Sequence, residues 1–158
     1  MANTQAMTTS FMGELMTATH NFGVAPTRSV TTVDSFKAAL YLTSATVNAA
    51  TTAYSSSNEV SGTGYLAGGV AVTMGTPPTA TNSSTTAGVA FVTPSASITY
   101  TTVTLTTAFD AVLIYNSTQS NKAVSVHTFG SQTITAGTFT LTMPANTTAA
   151  ALLRIATT

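Results

Sequence analysis

Residues 97–143 read SITYTTVTLTTAFDAVLIYNSTQSNKAVSVHTFGSQTITAGTFTLTM, and this stretch decides the fold. The run Ala111-Val112-Leu113-Ile114-Tyr115 is apolar at consecutive positions, so both faces of an extended chain are apolar there. That is the mark of a central strand buried between layers. Around it the pattern predicts strands over 97–105, 108–115, 123–129, 132–135 and 138–143. Turn signals separate them at 116–121, 130–131, 136–137 and 144–146. Strands spaced roughly 8 to 15 residues apart, with no helical periodicity between them, point to an antiparallel β-sandwich, jelly-roll-like in preference to immunoglobulin-like.

Working outward, further strands are predicted over 70–74, 89–92 and 150–155. Phe36, Ala38, Leu40 and Leu42 alternate with Lys37, Ala39, Tyr41 and Thr43 in another. Residues 45–54, rich in Ala and Thr, fit either a helical turn or an extended connection. Residues 58–69 carry four glycines within eight positions (Gly62, Gly64, Gly68, Gly69) and read as a shaped loop, with Glu59 partnering its backbone amides. Residues 75–88, with Pro77-Pro78 and a Thr/Ser tract, read as an exposed loop.

Only the N-terminal segment has helical periodicity. Met7, Phe11, Leu15, Ala18 and Phe22 fall on one face, Thr9 or Ser10 caps the start, Glu14 answers the positive end of the helix dipole, and Gly23 and Pro26 give a stop. The expected organisation is a helix and arm over 1–33 and one β-sandwich domain over 34–158. The helix face fits the parent core or a neighbouring subunit equally well.

Lys, Arg, Asp and Glu make up 5% of the 158 residues, and none occurs in the 50 residues between Glu59 and Asp110. Thr fills the space that charge ordinarily occupies in a soluble domain. Such a surface suits packing against neighbours, because few charges need be stripped of water when two surfaces meet. Net charge is zero and no basic cluster exists, which excludes the electrostatic footprint of nucleic-acid binding. Mean hydropathy is positive, +0.32, but the apolar residues are scattered and no run approaches the roughly 20 residues of a membrane span. Residues 1–7 lack the charge and apolar core of a signal peptide.

The inventory for chemistry is thin. Cysteine is absent, His20 and His127 are the only imidazoles, and the four carboxylates are dispersed. No metal site, cofactor or catalytic residue is expected. Asp110, His127 and a serine can be drawn as a hydrolytic triad on paper, but no Gly-x-Ser-x-Gly elbow accompanies them. The glycine-rich loop lacks the Gly-Lys-Ser/Thr of a phosphate loop. His20 reads as an answer to the negative end of the helix dipole and Asp110 as a strand-edge or turn acid. The aromatic residues read as core, Tyr65 excepted: it projects from the glycine-rich loop as a loop anchor or a subunit contact. The candidate partner-contact residues are therefore Met7, Phe11, Leu15, Phe22 and Tyr65.

Residues 58–69 (NEVSGTGYLAGG) and 111–130 (AVLIYNSTQSNKAVSVHTFG), with the hairpin sequence TAGTFTLTMP at 135–144, resemble a family of small structural proteins of tailed bacteriophages. The opening MANTQAM and the helix after it are similar to some members. The resemblance covers most of the chain from Phe36 to Ile155. It implies a non-enzymatic virion component with no catalytic residues to carry over. Expected partners are the major capsid protein or other virion proteins, and further copies of the chain, a trimer being favoured. A head-decoration or cement role leads, a collar or tail adaptor is the alternative, and a carbohydrate-binding β-sandwich is the reading from another class.

Overall fold

The computed structural model describes residues 2–16, 18–22, 33–74, 77–81 and 88–156. The chain forms β1 (Ala6–Met7), α1 (Thr9–Met16), β2 (Phe36–Leu42), β3 (Val70–Val72), β4 (Thr79–Thr81), β5 (Val89–Val92), β6 (Ile98–Asn116), β7 (Lys122–Leu141) and β8 (Leu153–Ala156). Two antiparallel sheets result, one in the order β1-β7-β6-β2-β3 and one in the order β4-β5-β8. The architecture is mainly β, as the strand pattern predicts.

The stretch over 97–143 folds into two long strands of 19 and 20 residues in place of five short ones. The turn signals at 130–131 and 136–137 are bulges. Pairing passes from Ala111↔Thr128 to Phe109↔Gln132, and from Leu105↔Ile134 to Val103↔Gly137, so β7 carries extra residues at both points. Ala136 takes a positive φ of 47° at the second. A bulge and a turn draw on the same residues, since both need backbone outside the β region. The turn at 116–121 is real: Asn116 Oδ1 accepts from Thr118 N and Gln119 N, and Ser120 and Asn121 take positive φ.

Ala111, Leu113 and Tyr115 face one apolar cluster with Ala39, Tyr41, Ala45, Val47 and Val126. Val112 and Ile114 face the other, with Phe36, Leu40, Val92 and Leu153, so residues of both sheets share one core. β2 is likewise buried on both faces, and residues 45–54 are a connection that covers the first cluster. Two strands go unforeseen: β1, which pairs with β7, and β4, which lies inside the expected 75–88 loop and pairs with β5.

The N-terminal expectation needs correction. Helix α1 spans Thr9–Met16 only, and Ala18 has φ 55°, which ends any continuation. Met7 lies in β1, paired with Ser125, and Phe22 lies beyond the helix; Gly23 and Pro26 fall outside the described residues. Nor does the segment stand apart as an arm. Thr4 N donates to Val47 O, Thr8 N to Val124 O, and Thr9 N to Ala49 O. Asn3 donates to Leu42 O and Asp110 and accepts from Val47 N. Asp110, expected at a strand edge or turn, sits inside β6.

Candidate functional site

Four of the five candidate contact residues come together. Met7, Phe11, Leu15 and Phe22 line an apolar groove of about 230 Å³ whose other walls include Pro78, Phe91, Leu153 and Ile155. Phe11 and Phe22 are buried in the chain's own core, at 2% and 6% exposure, and Met7 and Leu15 pack against it. Phe11 meets Phe22 edge-on at 5.7 Å, and Phe22 stacks on Phe36 at 4.5 Å. Edge-on and stacked pairs of this kind add specific attraction to the buried area. The segment thus joins α1 to β2 and the smaller sheet.

A polar chain runs alongside. Glu14, near the C-terminal end of α1, accepts from Lys122 Nζ at 2.5 Å and meets His20 Nε2 at 2.7 Å. Burial opposes ionisation of Glu14, but the hydrogen bonds from Lys122 and His20 and the charge of Lys122 outweigh it and hold the carboxyl below its ordinary value. Glu14 therefore answers side chains, not the helix dipole. His20, past the helix end, receives an N–H from fully buried Asn116 at its other nitrogen, 3.0 Å away, and so does not answer the dipole either. Asn116 Nδ2 also donates to Asp34 at 2.7 Å, and Asp34 accepts from Asn21 N and Gln119 Nε2. With its oxygen on Thr118 N and Gln119 N, the Asn116 amide is fully satisfied, which assigns His20 Nδ1 as acceptor and Nε2 as the protonated nitrogen facing Glu14.

Tyr65 is elsewhere and acts as a loop anchor. Its hydroxyl donates to Glu59 Oε1 at 2.8 Å and accepts from Leu40 N at 3.0 Å, and its ring stacks on Tyr100 at 5.9 Å. Glu59, buried, also accepts from Tyr54 at 2.6 Å and Gly68 N at 2.8 Å. The amide role foreseen for Glu59 is thus present at Gly68. The Tyr115 hydroxyl closes the loop by donating to Gly68 O. All five tyrosines share this neighbourhood. Burial, followed by the Glu59 charge and its hydrogen bonds, pushes the phenols of Tyr54, Tyr65, Tyr100 and Tyr115 up, and Tyr41, chiefly by burial, to about 12. Glu59 was legible from its place before the glycines; the convergence of tyrosines from distant strands was not.

Of the residues drawn as a triad, a serine and the histidine do meet, while the acid is held by another partner. His127 Nε2 bonds Ser125 Oγ at 2.9 Å, burial pushes its imidazole down to about 4, and Asp110 is engaged by Asn3. Among the described residues, no three His, Asp or Glu side chains group as metal ligands, and no helix is long and apolar enough to cross a membrane. None of the seven Phe or five Tyr side chains is exposed.

Compared with known proteins, the chain matches no family model, no curated protein sequence and no solved structure.

Proposed function

We propose that this β-rich domain is a non-enzymatic structural protein of a virion, most plainly a head-decoration protein that adds contact area across capsid junctions. One observation carries the reading: all four carboxylates take hydrogen bonds inside the fold, which leaves a surface hydrated by hydroxyls and amides. Glu14 binds Lys122 and His20, Asp34 binds Asn116, Glu59 binds two tyrosines and Gly68, and Asp110 binds Asn3. Exposed positions of β6 and β7 include Thr101, Thr102, Thr106, Thr107, Thr133, Thr135, Thr138 and Thr140. Desolvating such a surface costs less than desolvating charge, so many modest interfaces on a symmetric shell add up by avidity. The absence of an exposed aromatic ring weighs against a sugar-binding platform, which uses such rings for stacking.

The test is copy number per purified virion, by quantitative mass spectrometry against the major capsid protein. Near-stoichiometric abundance supports decoration. A dozen or so copies would move the protein to the collar or tail, and absence from the particle would overturn the reading. Truncating residues 1–23 is no substitute, because it removes Phe11 and Phe22 from the core.

A further inference from the structure

The chain covers the edges of its long β6–β7 ribbon one by one and leaves one stretch bare. On the β6 side, β2 pairs with the half nearest Asn116. The glycine-rich loop lies along the other half, where Thr104 N donates to Thr63 O. That approach is close enough that a Cβ on Gly62 would sit 2.2 Å from Thr104 O. On the β7 side, β1 pairs only with Ser125 and Val126. Among the described residues, no strand pairs with the outer edge of β7 beyond that point. The bulges at 129–131 and 136 divide this edge, and residues 137–141 form its end section, opposite which β6 carries one extra residue between Tyr100↔Phe139 and Val103↔Gly137; Thr138 and Thr140 are exposed there.

An open edge presents a row of unpaired N–H and C=O groups, and proteins ordinarily blunt it with charge or proline. Here residues 123–153 contain no Lys, Arg, Asp or Glu, and β7 contains no proline. The other edge strands are shorter, and β8 carries Arg154. The unpaired backbone calls for a strand as its occupant. Two-fold contact places each side chain near its own kind, which a charged edge resists and an uncharged one permits.

We propose that residues 137–141 of β7 pair edge to edge with the same residues of a second copy, antiparallel about a two-fold axis at Phe139. This register sets Thr138 opposite the partner's Thr140 on the exposed face, a cross-strand hydroxyl pair. On the core face it sets Leu141 opposite the partner's Gly137, which presents no side chain of its own, with Ile134 packed 3.2 Å from where a Cβ would stand. The contact joins two five-stranded sheets into one of ten strands. It makes the elementary oligomer a dimer in place of the favoured trimer.

The chain has no cysteine, so introduced thiols report only on contacts between copies. Thr138→Cys and Thr140→Cys proteins are prepared separately, then mixed and oxidised. The expected result is a covalent dimer in the mixture, well above the yield of either variant alone, because only the mixed pair places the two thiols opposite each other. Sedimentation velocity on the parent is expected to show a dimer, and Thr140→Lys a monomer with an unchanged circular dichroism spectrum. A parent that stays monomeric at every concentration overturns the proposal. So does a dimer without mixture-specific cross-linking, or one indifferent to Thr140→Lys. The experiment uses the free chain, so its failure leaves the virion reading to be judged by copy number alone.

Discussion

Replacing Glu59 tests whether one buried carboxylate organises the glycine-rich loop. Its Oε1 accepts from Tyr65 and Gly68 N, and its Oε2 from Tyr54, at 2.6–2.8 Å. Hydrogen bonds to a charged group contribute about 1.5–3 kcal/mol and neutral ones about 0.5–1.5. Glu59→Gln keeps the shape, leaves its amide oxygen on Tyr65 and Gly68, and obliges the Tyr54 hydroxyl to turn and accept. The loss of charge assistance is then roughly 1 kcal/mol per bond, and relief from burying an ion offsets part of it, giving a net loss of about 2 kcal/mol. Glu59→Ala strands the buried Gly68 N–H and two phenols and is expected to cost about 4 kcal/mol.

Urea unfolding measures both values, and the chain supplies its own probe. With no Trp and five Tyr, its intrinsic emission is tyrosine emission, and a phenol bonded to carboxylate is quenched. Glu59→Gln is expected to brighten the folded protein while lowering the midpoint. If both variants keep the parent's stability to within about 0.5 kcal/mol, the ordinary scatter of a surface substitution, the carboxylate is not the organiser of the loop.

Gly69 has φ 74°, and a Cβ there would lie 1.7 Å from Ala38 O, so Gly69→Ala must displace β2 and is expected to cost roughly 3–5 kcal/mol by thermal or urea unfolding. Asn116→Ala removes four hydrogen bonds from a fully buried position and is expected to cost about 3 kcal/mol, with faster amide exchange in residues 18–22. His127 is held neutral in the fold, at about 4 against an ordinary 6.5, so the unfolded chain binds the extra proton between those values. Stability should therefore be full above pH 6.5 and fall by about 3 kcal/mol as pH drops to 4, a slope that His127→Gln should remove.

The strand pattern and the doubly apolar run at 111–115 were legible in the sequence because a buried strand must be apolar at every position. The helix was overestimated for a related reason. Met7, Phe11, Leu15 and Phe22 do share one apolar environment, but a strand, a short helix and a bend deliver them there instead of one continuous helix. Periodicity records which residues are buried, not which backbone buries them. The bulges at 129–131 and 136 were read as turns because glycine and small residues serve both. The Glu59 carboxylate bonds only residues within nine positions of it, but the Asn116 centre and the closing of the glycine-rich loop depend on residues brought together across 40 or more positions, such as Tyr115 with Gly68, and no local signal announces those.

The low charge content takes on a different meaning once the fold is known. Solubility favours placing scarce acidic residues outside, yet each of the four is tied to a partner inside: three hold the N-terminal segment or its neighbours to β6 and β7, and one holds the glycine-rich loop. These internal ties fix the segments that bracket the ribbon, while on the exposed face of the edge at 137–141 only the hydroxyls of Thr138 and Thr140 stand out. Stability and association are thereby assigned to different residues. Substituting the inner carboxylates should destabilise the chain, whereas placing a charge at Thr140 should leave it folded and solitary, a separation that the proposed assembly role calls for.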